Sequence, residues 1–144
     1  MNSISFHSEG VKPKTPSKRL LKAWIKEFVS NHGKNVGELA FVFCDDEKIL
    51  EINRNFLQHD YYTDIITFDY CEDHIVSGDI YISVERVLEN SSIHKSEYST
   101  ELLRVLAHGV LHLIGFQDKT KKKKGEMTQN EDLCIQLFLT KFAQ

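Results

Sequence analysis

Proline is nearly missing from this 144-residue chain: the two present, Pro13 and Pro16, both fall in Lys12-Pro13-Lys14-Thr15-Pro16, which reads as a linker between elements. Cysteine is sparse as well. Cys44, Cys71 and Cys134 are an odd number with no C-x-x-C pair, which argues against a disulfide framework and for reduced thiols in a cytoplasm. No apolar run approaches the ~20 residues that span a bilayer, so no membrane association is expected. The opening Met1-Asn2-Ser3-Ile4-Ser5-Phe6-His7 has neither the charged nor the apolar region of a secretory signal, and no repeat period recurs. A strong charge of one sign is lacking too: a net charge of −3 argues against a protein that coats nucleic acid by bulk electrostatics.

What is present is ordinary in bulk. With 41% hydrophobic and 27% charged residues the chain is long enough to bury a core, and one domain over residues 1–144 is expected. The charge is unevenly placed, however. Lys119-Thr120-Lys121-Lys122-Lys123-Lys124 holds five lysines directly after Asp118. A lysine run by itself reads as a solvated loop; beside a reactive site, Lys119, Lys121, Lys122, Lys123 and Lys124 also read as collectors of phosphate.

Apolar periodicity divides the chain into short elements. Ile4 and Phe6 alternate within Ser3 to His7, predicting a strand. From Ser17 to about Asn31, Leu20, Leu21, Trp24, Phe28 and Val29 recur at helical spacing, so an amphipathic helix with Trp24 in the core is expected. Leu39 to Cys44 reads as a strand buried on both faces, and Asp45 or Asp46 caps a helix running through Ile49, Ile52 and Phe56. Tyr62 to Asp69 and Gly78 to Ser83 give two more strands, with Ser83 opening a helix to about Asn90. Glu97 or Ser99 begins a long helix, apolar nearly all round from Leu102 to Ile114, that belongs at the centre of the domain. A last helix follows the lysine loop, with Leu133, Leu137, Phe138 and Phe142 toward the core. The expected class is α+β: a small mixed sheet of about four strands, with the long helix packed on one face.

That long helix carries the chemistry. In Leu106-Ala107-His108-Gly109-Val110-Leu111-His112-Leu113-Ile114-Gly115-Phe116-Gln117-Asp118 two imidazoles stand four residues apart in an apolar run. Positions i and i+4 share a helix face, with Cβ atoms roughly 5–6 Å apart, close enough for both rings to reach one ion at ~2.0–2.1 Å. Gly115 is suited to end the helix in a left-handed conformation and swing the chain back, which aims Asp118 at the same ion. The spacing H-x-x-x-H-x-x-G-x-x-D is the layout of metzincin proteases with Asp as the last ligand. It differs in holding Gly109 where those proteases carry the Glu that acts as general base, so a peptidase lacks its proton acceptor. Taken singly, the histidines also read as satisfied core residues, Gly115 as a helix cap and Asp118 as a turn residue.

The run His108-Gly109-Val110-Leu111-His112-Leu113-Ile114-Gly115-Phe116 closely resembles the signature of the YbeY family, the metal-dependent endoribonucleases and rRNA maturation factors of bacteria. Ile52-Asn53 with Phe56, leading to Tyr62-Thr63-Asp64-Ile65-Ile66-Thr67-Phe68, is similar to the family's asparagine-plus-TDVLSF region, and Ser77-Gly78-Asp79-Ile80-Tyr81-Ile82-Ser83 to its GDI strand. The resemblance implies a zincin-like fold with a central buried metal-carrying helix and one Zn²⁺ per chain on His108, His112 and Asp118. It also implies cleavage of single-stranded or ribosomal RNA in rRNA maturation and ribosome quality control, with the ribosome or small-subunit proteins as partners. Two positions depart from the family pattern. Asp118 stands where a third His is usual, a harder ligand that excludes ions such as manganese less well. Leu57 stands where an arginine facing substrate phosphate is common, with Arg54, about one helical turn away, as its candidate substitute.

The chemistry expected is metal-assisted phosphodiester hydrolysis, with His108 and His112 as catalytic ligands. Zinc held by three protein ligands keeps a fourth position open for polarising water or a phosphoryl oxygen. The proton acceptor stays open between Asp118, Asp64 and a substrate phosphate. Asp64 and Asp79 read either as turn residues or as partners that fix a ligand imidazole, and His59, His74 and His94 as surface residues. Two other classes remain: a zinc peptidase of metzincin-like layout with a base from another segment, and a non-catalytic, metal-stabilised ribosome assembly factor.

Overall fold

Strand β2 (Asn35–Cys44) is the axis of the sheet, because Val36, Leu39, Phe41, Phe43 and Cys44 bury both of its faces, as a strand between two layers requires. The computed structural model describes residues 3–57 and 63–143. Strand β1 (Ser3–Ser8) pairs parallel with one side of β2, and β4 (Ile75–Ser83) pairs parallel with the other; β3 (Ile65–Asp69) lies antiparallel outside β4. The order β1-β2-β4-β3 is the expected mixed sheet of four strands.

Side-chain alternation along the strands assigns the layers. Phe41, Phe43, Ile80 and Ile82 point to the main core, where they meet α1 (Lys18–Asn31) and α4 (Tyr98–Ile114). Cys44, Ile66 and, half-buried, Phe68 and Tyr81 point to the other face, covered by Ile49 and Ile52 of α2 (Asp46–Phe56). Trp24 is wholly buried and its indole N–H donates to the carbonyl of Cys134 at 2.7 Å, which places it in the core as expected and ties α1 to α5 (Lys121–Leu137). Asp45 caps α2 by accepting from Lys48 N–H, and Ser83 caps α3 (Val84–Ile93) by accepting from Arg86 N–H.

Two glycines set how closely α4 lies on the sheet. A Cβ at Gly109 would stand 2.9 Å from Cδ1 of Ile65 and 3.1 Å from Cγ2 of Ile80, and one at Gly78 would press on the Phe68 carbonyl and stand 3.1 Å from Leu113. The helix therefore presses its Gly109 face on β3 and β4. The stripe that carries Arg104, His108 and His112 at steps of four lies to one side of that face, toward α5 and the edge strand β3.

Three expectations need correction. Among the described residues of the segment Tyr62 to Asp69, Thr63 and Asp64 precede the strand, which begins at Ile65; Tyr62, like His59, lies outside the described residues. The lysine run is no loop: Thr120 caps α5 by accepting from Lys123 N–H at 3.1 Å, and Lys121 to Lys124 form the first turn of the helix. Leu133 is 63% exposed, because the buried stripe of α5 is Met127, Glu131, Cys134 and Ile135, continued by Phe138 in a π-helical turn over Phe138–Phe142. That stripe follows the i, i+4, i+7, i+8 pattern from Met127, a phase that leaves Leu133 on the wet side.

Candidate active site

His108 sits between two carboxylates. Its Nδ1 lies 2.6 Å from Oε2 of Glu131, and its Nε2 lies 3.5 Å from Oδ2 of Asp118. An ionised carboxylate only accepts, so the hydrogen bond to Glu131 places a proton on Nδ1. Glu131 is itself 8% exposed at the side chain, and its other oxygen accepts from Nη1 of Arg104 at 2.9 Å. The second arm of that guanidinium donates to Asp132 at 2.7 Å. Burial disfavours the charged form of His108, but the Glu131 hydrogen bond and the charges of Glu131, Asp118 and Asp64 outweigh it and hold the ring above the ordinary imidazole value. Burial likewise disfavours the Arg104 cation, which the bonds to Asp132 and Glu131 more than restore.

Asp118 reaches this ring because α4 ends as the glycine demands. Gly115 takes φ 131°, its N–H donates to the carbonyl of His112, and Phe116 N–H donates to that of Leu111. This is a Schellman closure, and it turns the chain back so that residue 118 lies beside residue 108. The edge strand supplies the facing wall. Alternation puts Ile65 and Thr67 of β3 on the α4 side, and with Thr63, Asp64, His108, His112 and Asp118 they enclose a cavity of about 230 Å³. A larger cavity of about 480 Å³ shares Asp64, Ile65, His108 and Asp118 and extends between α3, α4 and α5 to Asn90, Glu101, Arg104, Lys124 and Glu131. Desolvation pushes the carboxyl of Asp64 up from its ordinary value, against the pull of His108; one of its oxygens accepts from Asn90 at 3.3 Å.

The donor set fits a zinc ion in part of its geometry. Two ligands bonded to one tetrahedral zinc at ~2.0–2.1 Å lie about 3.3 Å apart, close to the observed 3.5 Å between Nε2 of His108 and Oδ2 of Asp118. His112 lines the same cavity with an exposed ring. Among the described residues, no three His, Cys, Asp or Glu side chains already stand as a metal-holding cluster, so the pair is spaced and the third donor is adjacent rather than in place.

Residues 4 to 138 match the family described as Endoribonuclease YbeY. The chain is a member of the YbeY family. It is similar to the Endoribonuclease YbeY of Phocaeicola vulgatus, at 48% identity over 134 residues that cover 93% of this chain and 97% of that protein. The protein of the same name from Porphyromonas gingivalis is 48% identical over 135 residues, covering 94% and 89% of the two chains. The solution structure of TM1509 from Thermotoga maritima superposes with a TM-score of 0.64 at 27% identity, covering 93% of this chain and 87% of that one.

Within this YbeY-family chain the glycine after the first histidine has a packing cause. Position 109 is buried against Ile65 and Ile80, so a glutamate there would enter the sheet instead of reaching the cavity. The metzincin comparison fails at that residue for lack of space, and the peptidase alternative is not favoured. His108, His112 and Asp118 share one cavity, and Lys124 lines the larger one. Lys119, Lys121, Lys122 and Lys123 lie on the exposed surface at the mouth of α5, with Lys123 donating to Gln117 at 3.0 Å. Arg54 ends α2 on the other face of the sheet, beside the exposed Leu57, and lines neither cavity. Asp79 lines a separate cleft with Ser5, Ala40 and Tyr70. His94, read as a surface residue, reaches the larger cavity and places Nδ1 3.3 Å from buried Glu101; His74 is exposed.

The partner that holds His108 is Glu131, neither Asp64 nor Asp79. A sequence signal for it exists: Glu131 is a carboxylate on the stripe that otherwise carries Met127, Cys134, Ile135 and Phe138, and a charged residue on a buried stripe is paired or costly. Arg104 was equally readable as the residue one turn before His108 on the same face.

Proposed function

We propose that this chain is a metal-dependent endoribonuclease that cuts single-stranded RNA in the maturation and quality control of ribosomal RNA. The observation that carries the reading is the ring of His108, spaced against Asp118 as two ligands of one ion and held from behind by a carboxylate, in a chain that belongs to a family named for endoribonuclease activity. His108, Asp118 and His112 would hold the ion, with the exposed His112 ring turning into the cavity it already lines. Bound zinc supplies Lewis acidity toward a phosphodiester oxygen and toward water.

The chain's own groups do the rest. Lys124, at the wall of the larger cavity, and the lysines before it draw the phosphate backbone in, a cleft about 480 Å³ in volume admits an unpaired strand, and Asp64 stands within the same walls as a candidate proton acceptor. A ribosomal substrate in the cytoplasm, with the ribosome or small-subunit proteins as partners, agrees with this. The non-catalytic alternative is not favoured, since a structural zinc closes its coordination sphere with protein ligands, whereas this donor set faces an open cleft.

The test is cleavage of a labelled single-stranded RNA by protein stripped with chelator and then given zinc. Activity that disappears on stripping, returns with zinc and is lost in His108→Ala supports the reading. Cleavage indifferent to chelator, or retained in His108→Ala, overturns it.

A further inference from the structure

We infer that Glu131 is a positioning residue: gripped by Arg104, its carboxylate keeps the proton of His108 on Nδ1 and leaves Nε2 free to ligate a divalent cation. The inference rests on the metal reading above and adds the device that prepares the ring before any ion arrives.

Three observations combine. Nδ1 and Nε2 of His108 face different groups, Glu131 at 2.6 Å and Asp118 at 3.5 Å, so the bond on one side dictates what the other can do. Arg104 is purely a donor, and its bond to Oε1 at 2.9 Å leaves Oε2 as the atom facing the ring. Glu131 also interrupts an otherwise apolar stripe. Burying a carboxylate there costs more than a hydrophobic side chain of the same size, so core stability alone does not account for the residue.

The arrangement makes a specific forecast for Glu131→Gln. The amide is close in shape, but Arg104 must be met by its oxygen, which turns the amide NH₂ toward Nδ1 of His108. Nδ1 then accepts, the proton moves to Nε2, and the lone pair facing Asp118 is lost. Removing the grip in Arg104→Met/Glu131→Gln lets the amide rotate and offer its oxygen to Nδ1–H again. Arg104→Met alone leaves Glu131 bonded to His108, because an ionised carboxylate accepts from Nδ1–H through either oxygen.

The tautomer is read from the ¹⁵N shifts of His108 in metal-free protein, at a pH where the ring is neutral, and zinc affinity is read by competition with a chromophoric chelator. Wild type is expected to carry Nδ1–H. Glu131→Gln is expected to carry Nε2–H and bind zinc about 10- to 100-fold more weakly, and the double variant to regain Nδ1–H and part of the affinity. Nε2–H in wild type overturns the inference even if no variant folds. So does Glu131→Gln with an unchanged tautomer, whatever its affinity, or a double variant that recovers neither property. Wild type that takes up no zinc overturns the metal reading beneath it, and the metal-free tautomer distinguishes that failure from a failure of Glu131.

Discussion

The three cysteines differ in a way that solution chemistry can read. Burial pushes the thiols of Cys44 and Cys134 up to about 12, with neighbouring acidic charges adding to the effect. Cys71 is half-buried, and burial raises its thiol as well. A thiolate is the reactive form, so iodoacetamide at pH 8 is expected to modify Cys71 first in the native chain and to reach Cys44 and Cys134 only in denaturant; equal rates at all three would contradict their placement. The sign for stability follows from linkage. A folded-state value raised from 9 to about 12 means these two thiols contribute stability that is fully present below pH 9 and lost as pH rises toward 12. The melting temperature should therefore fall across that interval, and less steeply in Cys44→Ala/Cys134→Ala.

Gly109 is the second residue with a consequence of its own. Glu at this position adds a charged side chain where even a Cβ stands 2.9 Å from Ile65, so Gly109→Glu should destabilise the chain by ~3 kcal/mol or more in urea unfolding. Gly109→Ala gains helix propensity of about 1 kcal/mol against small displacements of the Ile65 and Ile80 side-chain ends, and should stay near neutral. A well-folded Gly109→Glu variant would remove the packing reason for the glycine. At this scale the histidines were legible because imidazoles in an apolar run demand partners. Their true partner was harder to see: Glu131 is 23 residues from His108, and nothing local to either residue joins them.

At the level of elements, α5 is built against its own electrostatics. Lys121 to Lys124 occupy its first turn, where the helix dipole favours negative charge, so the helix retains cations that its stability does not want. Changing Lys121 and Lys122 to Ser should raise the melting temperature by a few degrees. It should also weaken binding of single-stranded RNA and flatten the slope of log affinity against log salt by about 1.4. A stability gain with unchanged RNA binding would make the run a solvated helix end and nothing more. Composition pointed to a loop here because lysine runs usually are solvated. The Thr120 cap was the missed start signal, and it sets the phase that buries Glu131 and exposes Leu133.

Across the whole molecule, the layers were readable from Leu39 to Cys44, apolar on both faces of the strand as a central position requires, and from the nearly all-apolar α4. The strand order was not. Placing β4 beside β2 and β3 at the edge is long-range strand pairing, and the close approach of α4 that Gly78 and Gly109 allow is likewise a tertiary fact without a local pattern. The same approach turns the His108 stripe toward α5 and the β3 edge, where Asp118 returns to meet it. The central claim is that His108, His112 and Asp118 hold one zinc. It is tested most directly by anomalous diffraction at the zinc edge from crystals grown with zinc. The account predicts a single strong peak per chain within ~2.0–2.2 Å of donor atoms from all three side chains; a peak ligated by other residues, or none in the cavity, would contradict it.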